Sequence, residues 1–172
     1  MKYILALLVV VGLGFFLFTQ QGQEAEQGQT IYLIRHAEKI QDGSADPALT
    51  DVGLARAVTY AEYFANKGIK AIYSSNYKRN MDTVAPLAKT QGMEIQIYDP
   101  RDLEAIAKRV VDAGETALVA GHSNTTAELA NILTGGSLET LEDKDYDRVY
   151  IIVLHKDGTS SVVIDHVEPL TP

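Results

Sequence analysis

The chain has 172 residues, 46% of them apolar, enough for one fully cored domain and a short appendage. It contains no cysteine, which excludes disulfides, thiolate metal sites and cysteine nucleophiles. A formal net charge of -8 argues against a general nucleic-acid surface, which is basic, but allows a few cations to converge locally on phosphate.

Residues 1–18 form a separate segment. Lys2 is its only charge, and everything from Tyr3 to Phe18 is apolar or glycine. Such a run is a secretory signal peptide or a membrane anchor. As a helix, residues 3–18 span about 24 Å, slightly short of a ~30 Å hydrocarbon core. The run lacks the small residues of a cleavage site at its end, which favours an uncleaved anchor. Lys2 before it and Glu24 and Glu26 after it fit a cytoplasmic amino terminus and an exported domain, periplasmic or extracellular, tethered to the membrane. Residues 19–29, rich in Gln, Gly and Glu, read as a flexible linker. The folded domain is expected to cover 30–172.

Within it, strand and helix signals alternate. The apolar run 31–34 predicts a buried strand that stops at Arg35 and His36. A polar loop over 39–48 follows. Thr50 caps a helix with Asp51 in its first turn, Leu54, Val58, Ala61 and Ala65 on its apolar face, and Gly68 at its end. Residues 69–73 predict a second strand, leading to Ser74 and Ser75. A helix from about Tyr77 to Gln91 follows, with Pro86 as a kink or break. Residues 94–98 predict a third strand. Asp99-Pro100 reads as a cap with proline in the first helical position, and Leu103, Ile106, Ala107 and Val110 form the apolar face of the next helix. A fourth strand over 116–120 runs into Gly121-His122-Ser123-Asn124, then a helix reaches about Leu133. Residues 148–154 and 160–164 predict a closing hairpin. This alternation argues for α/β architecture, a three-layer α/β/α sandwich on a mostly parallel central sheet.

Parallel strands would bring the loops after the first, second and fourth strands to one sheet edge, where ligands bind in such folds. Arg35, His36, Arg79 and His122 would then share a pocket. A guanidinium fork suits phosphate, and a neutral imidazole nitrogen can attack phosphorus. His155 and His166 have no metal-ligand spacing and read as structural. Ser123 lacks the Gly-x-Ser-x-Gly context of a hydrolase nucleophile, and no P-loop is present. Tyr60, Tyr63, Phe64, Tyr73 and Tyr77 read as core or pocket wall.

Leu33-Ile34-Arg35-His36-Ala37-Glu38 resembles the Arg-His-Gly/Ala-Glu signature of the histidine phosphatase superfamily, in its phosphoglycerate mutase-like branch. Three further stretches agree in order. Asp46-Pro47-Ala48-Leu49-Thr50 with Gly53, Arg56 and Ala57 is similar to the family's Leu-Thr/Ser-x-x-Gly-x-x-Arg-Ala helix start. Tyr73 to Arg79 with Thr83 is similar to its Ser-Ser-Pro-Leu-x-Arg block, and Val119 to Asn124 to its Gly-His block. The resemblance covers most of 31–133 and implies a phosphoglycerate mutase-like fold. It also implies His36 as the nucleophile that becomes phosphohistidine, and Arg35, Arg79 and His122, with Ser123 beside them, as ligands of the phosphoryl oxygens. Two guanidinium forks and a second histidine supply charge stabilisation without metal or cofactor.

Asn76-Tyr77 replaces the family's usual Pro-Leu, and Val84 its alanine, changes expected to alter packing more than chemistry. The family's general acid, a glutamate beyond the third strand, is matched by spacing at Glu104. Asp99 and Asp102 are alternatives, and all three also suit helix capping or a first helical turn. The resemblance therefore implies a histidine acid phosphatase-like phosphoric monoester hydrolase, acting on phosphomonoesters or phosphohistidine. The substrate would be a phosphorylated small molecule, an envelope glycan or a phosphoprotein. The alternative is a non-catalytic phosphate-binding adaptor. Phosphoglycerate mutase-type transfer ranks third, because no long insertion after the third strand supplies a lid.

Overall fold

The computed structural model describes residues 28–168. The anchor or signal segment, 1–18, and the linker up to residue 27 lie outside the described residues. Among the described residues no helix is long and apolar enough to cross a membrane.

Ten elements follow in order: β1 (Gln29–Arg35), α1 (Asp51–Phe64), β2 (Ala71–Ser75), α2 (Lys78–Gln91), β3 (Ile95–Tyr98), α3 (Leu103–Ala113), β4 (Ala117–Gly121), α4 (Ser123–Thr134), β5 (Arg148–Leu154) and β6 (Ser160–His166). They build one sheet in the order β3-β2-β4-β1-β5-β6. The first four strands are parallel, and the β5–β6 hairpin adds two antiparallel strands beside β1. Alternate side chains of each strand face opposite layers. Tyr32, Ile34, Ile72 and Leu118 pack under α1 and α2, whereas Ile31, Leu33, Tyr73 and Val119 pack under α3 and α4. The architecture is the expected three-layer sandwich, parallel in its centre.

Register aligns the strand ends. Arg35 pairs with Gly121, Ser74 with Ala120 and Ser75 with Tyr98. All four parallel strands therefore open onto the same edge.

Local expectations differ from the structure at four places. First, α1 is rolled relative to its expected apolar face. Leu54 and Val58 are 50% and 51% exposed, and Ala65 is exposed, while Gly53, Arg56, Ala57, Tyr60, Ala61 and Phe64 are buried. Two large aromatic rings offer more area to bury than leucine and valine. Arg56 is also held by Glu38, its Nη2 donating at 2.7 Å and its Nε at 2.9 and 3.0 Å. Gly53 sits so close to the loop after β1 that a Cβ would lie 2.2 Å from the Glu38 carbonyl oxygen. These contacts set the roll. Second, α1 ends at Phe64, and a turn over 65–68 then carries the chain to Gly68.

Third, Pro86 does not break α2, which runs unbroken to Gln91. The proline removes a hydrogen bond to the carbonyl of Asp82, a residue exposed to water. Fourth, the cap of α3 is Asp102, whose side chain accepts from the Ala105 N–H at 3.0 Å. Asp99-Pro100 forms a turn instead, closed by Asp102 N–H to the Asp99 carbonyl at 3.1 Å. Proline at the second position presets that turn.

Candidate active site

His36 follows the last residue of β1, and its N–H continues the ladder to the Gly121 carbonyl at 3.0 Å. Arg35 and His36 are each only 3% exposed, yet both line a cavity of about 350 Å³ at the strand ends. Arg79, His122 and Ser123 line the same cavity. The rings of His36 and His122 stand edge-on with centroids 5.5 Å apart.

The hydrogen bonds assign the ring protons. His36 Nδ1 lies 2.8 Å from the Ala37 carbonyl oxygen. A carbonyl only accepts, so Nδ1 carries the proton and Nε2 keeps its lone pair. His122 has the opposite tautomer. Its Nδ1 faces Arg79 Nη2 at 3.3 Å, a group that only donates, so Nε2 carries the proton toward Ser75 Oγ at 3.0 Å. Burial, then the positive charge of Arg35 and Arg79, lowers His36 to about 3. Burial and the same two arginines lower His122 to about 4. Both rings are therefore neutral at physiological pH.

The linkage has a definite sign. The folded chain keeps both rings neutral below the ordinary histidine value, so unfolding takes up protons there. Their contribution to stability is complete above the unfolded value of about 6.5. It is lost as the pH falls through about 4 for His122 and about 3 for His36. Ring-proton NMR is expected to show no titration of His36 or His122 near the ordinary histidine value. A transition there in either ring would contradict the assignment.

The guanidiniums are held firmly but incompletely. Arg35 Nη1 donates to the carbonyls of Glu142 at 2.8 Å and Asp143 at 3.2 Å, and its Cζ lies 4.1 Å from the Tyr146 ring centroid. Arg79 lies 4.6 Å over the Tyr77 ring, and its Nη1 is 3.7 Å from Asp46 Oδ1. Among the described residues, four buried side-chain nitrogen or oxygen atoms lack a hydrogen-bond partner, and three are on these arginines: Arg35 Nε, Arg79 Nε and Arg79 Nη1. Buried polar groups are ordinarily paired. Arg35 Nε and Arg79 Nε without a hydrogen bond, and Arg79 Nη1 with only the longer ion pair to Asp46, leave donor capacity beside one cavity for an anion with several acceptor oxygens. Among the described residues Lys39 and Arg101, the latter paired with Asp99 at 2.7 Å, line the same wall with one carboxylate, Asp143. No group of three or more metal-ligating side chains occurs among the described residues.

The residues considered as general acid do not line this cavity. Glu104 lies exposed in the first turn of α3 and faces a neighbouring depression with Asp102 and Glu128. Asp102 is the helix cap. Asp99 is bound by Arg101, which holds its carboxyl down at about 2. Helix dipole and capping explain why acids stand at these positions. Asp143 does line the cavity, fully exposed and 4.0 Å from Arg35 Nη2.

Residues 31–101 match the family model of the histidine phosphatase superfamily, branch 1. The fold agrees with a structure of the protein histidine phosphatase SixA complexed with tungstate. The TM-score is 0.65 at 16% identity, covering 81% of this chain and 97% of that one. The sequence match to that superfamily is confined to residues 31–101, and the likeness of fold extends beyond it. The probable phosphoglycerate mutase GpmB of Yersinia pestis (strain Pestoides F) is 32% identical over 77 residues, 41% of this chain and 35% of that protein. The chain thus spans about a third of the length of the curated relatives it matches. A mycobacterial glucosyl-3-phosphoglycerate phosphatase shares the fold with a TM-score of 0.62 at 14% identity, covering 84% of this chain and all of that one.

Several residues of the site have roles that the sequence does not reveal. Lys39 and Arg101 are cations adjoining recognised motifs, and their charge was the available signal. Tyr77, expected as core or pocket wall, does line the cavity and touches both Arg79 and the edge of His122, with ring centroids 5.2 Å apart in the latter pair. Asp46 accepts the Lys78 N–H at 2.9 Å, a cap for α2 supplied from another loop. Thr83 Oγ1 accepts from Ala37 N–H at 2.9 Å and donates to the Arg79 carbonyl at 2.6 Å, which ties the His36 loop to α2. The carbonyls that hold Arg35 had no signal at all, since every residue carries one.

Proposed function

We propose that this chain is a metal-independent phosphatase that hydrolyses phosphomonoesters or phosphohistidine through a covalent phosphohistidine at His36. The observation that carries the reading is the His36 tautomer. Its unprotonated Nε2 belongs to a ring lining a cavity shared with three guanidinium donors without a hydrogen bond.

The phosphoryl oxygens take the donors of Arg35 and Arg79. Nε2 attacks phosphorus, an N–P bond forms, and the bond to the leaving atom breaks with its electron pair on that atom. Charge spreads over the equatorial oxygens, so fixed guanidinium donors are the main catalytic resource. Water then attacks phosphorus, the N–P bond breaks, and phosphate leaves with the Nε2 lone pair restored. Ala37 holds the Nδ1 proton throughout. His122, bound to Arg79, orients that guanidinium.

Hydrolysis is preferred to mutase transfer because α3 follows β3 after only the Asp99 turn, so no inserted lid stands there to keep water out. SixA, whose fold this chain shares, is named as a protein histidine phosphatase and holds tungstate in the structure it matches. The substrate we propose is a phosphorylated small molecule, an envelope glycan or a phosphoprotein, met on the exported side of a membrane to which residues 3–18 tether the domain. The test is hydrolysis of p-nitrophenyl phosphate by the full chain, with and without chelator, together with rapid-quench trapping of an acid-labile phosphoenzyme. Chelator-resistant turnover with a trapped label is expected. Tight phosphate binding without turnover would replace the reading with a non-catalytic adaptor.

A further inference from the structure

A second depression, of about 560 Å³, adjoins the phosphate cavity and shares Tyr77, Pro100 and Arg101 with it. Its volume is in the range of small-ligand pockets. Any group bonded to a phosphoryl centre in the first cavity has this space next to it. We infer that the shelf formed by Tyr77, Ile97 and Pro100 receives an aromatic leaving group, so that the preferred substrate is a phosphorylated aromatic ring. The inference deepens the phosphatase reading and rests on it for the position of the phosphoryl group.

Two independent observations lead to this class. The first is the surface. Tyr77 is 37% and Ile97 44% exposed, apolar area left open to water inside a site. Tyr77 is moreover a fixed platform, with Arg79 over its ring and the His122 ring perpendicular to it. A ring already immobilised loses little freedom when a ligand covers it. Tyr77 also stands where this chain departs from the family's leucine, so the shelf belongs to this sequence in particular.

The second observation is the chemistry of departure. Among the described residues, no buried carboxylic acid lines the phosphate cavity to protonate the leaving atom. The one carboxylate among them that lines it, Asp143, is exposed and faces Arg35. An alkoxide is a poor leaving group without a proton, since its conjugate acid is about as weak as water. A phenolate has a conjugate acid of pKa ~10 and leaves far more readily. In the first step His36 Nε2 bonds to phosphorus and the phosphorus–oxygen bond to the ring breaks with its electrons on oxygen. The departing aryloxide takes a proton from water at the open shelf, and the second step consumes one water to release phosphate.

Binding of non-hydrolysable analogues tests the shelf without relying on turnover. The full chain is titrated by calorimetry with phenylphosphonate and methylphosphonate. A second arm uses peptides carrying phosphonomethyl-phenylalanine or the phosphonate analogue of phosphoserine. The aromatic member is expected to bind about tenfold more tightly in at least one arm, and that arm names the source of the ring, free or on a polypeptide. Ile97→Ser, which removes apolar surface outside the phosphate cavity, is expected to narrow that ratio several-fold. Equal affinities of aromatic and alkyl members in both arms overturn the inference, as does a ratio unchanged by Ile97→Ser. Turnover of p-nitrophenyl phosphate with equal phosphonate affinities would remove the shelf alone. A phenyl preference without turnover would remove the phosphatase reading and keep the shelf.

Discussion

The His36→Ala protein is expected to bind inorganic phosphate within a few-fold of the parent chain yet turn over p-nitrophenyl phosphate at least ~10⁴-fold more slowly. The first part follows because the donors without a hydrogen bond belong to Arg35 and Arg79 and remain after the imidazole is gone. The second follows because, among the described residues, the one other imidazole lining the cavity has no free lone pair. His122 is the nearest substitute, but its Nδ1 is engaged by Arg79 and its Nε2 carries a proton toward Ser75. The measurement pairs steady-state kinetics with phosphate calorimetry and rapid-quench labelling. Residual turnover above about a hundredth of the parent rate, or a phosphoenzyme formed without His36, would remove this residue from the nucleophile's role. A melting curve separates chemistry from folding, since His36 is buried and its deletion leaves a void.

Arg79→Ala is the complementary experiment, with the loss expected in binding. The side chain brings two donors without a hydrogen bond, Nε and Nη1, the latter in a longer ion pair with Asp46, and a third bonded to His122. Hydrogen bonds to charged groups contribute roughly 1.5–3 kcal/mol each, and about 1.4 kcal/mol is tenfold in affinity. Loss of two such bonds predicts a phosphate affinity at least ~100-fold weaker. Arg79→Lys keeps the charge but not the planar fork, so its affinity should fall between the two. Removing Arg79 also frees His122 Nδ1. Phosphate affinity unchanged in Arg79→Ala would show that the anion sits elsewhere.

How much of this was legible beforehand depended on the range of the interactions involved. The apolar runs that became β1, β2 and β4 stand out because a buried strand needs nothing but consecutive apolar residues. Cationic residues at their ends stand out for the opposite reason, as charges placed beside a core. The roll of α1 is not legible in the sequence because the spacing of Leu54 and Val58 is as helical as that of Tyr60 and Phe64. The choice between two stripes was made by contacts with Glu38 in another loop. Glu104 was read as an acid by spacing, whereas its position in the first turn of α3 places it over a different depression. Tyr77 is legible as pocket wall, but its contact with His122 is not, because that ring comes from a distant segment of the chain.

By itself the sequence determined the order of strands and helices, the Thr50 cap of α1, and the set of cationic and imidazole side chains set at strand ends. Those properties arise between residues a few positions apart, where apolar spacing and backbone hydrogen bonding act. The tertiary structure alone decided which nitrogen of each histidine holds a proton, which guanidinium donors lack a hydrogen bond, and which carboxylates reach the cavity. Those are properties of distance. They depend on partners as far apart in the chain as Arg35 and Glu142, 107 positions away, which only the aligned register of the parallel strands and the packing of the intervening loops bring within hydrogen-bond reach.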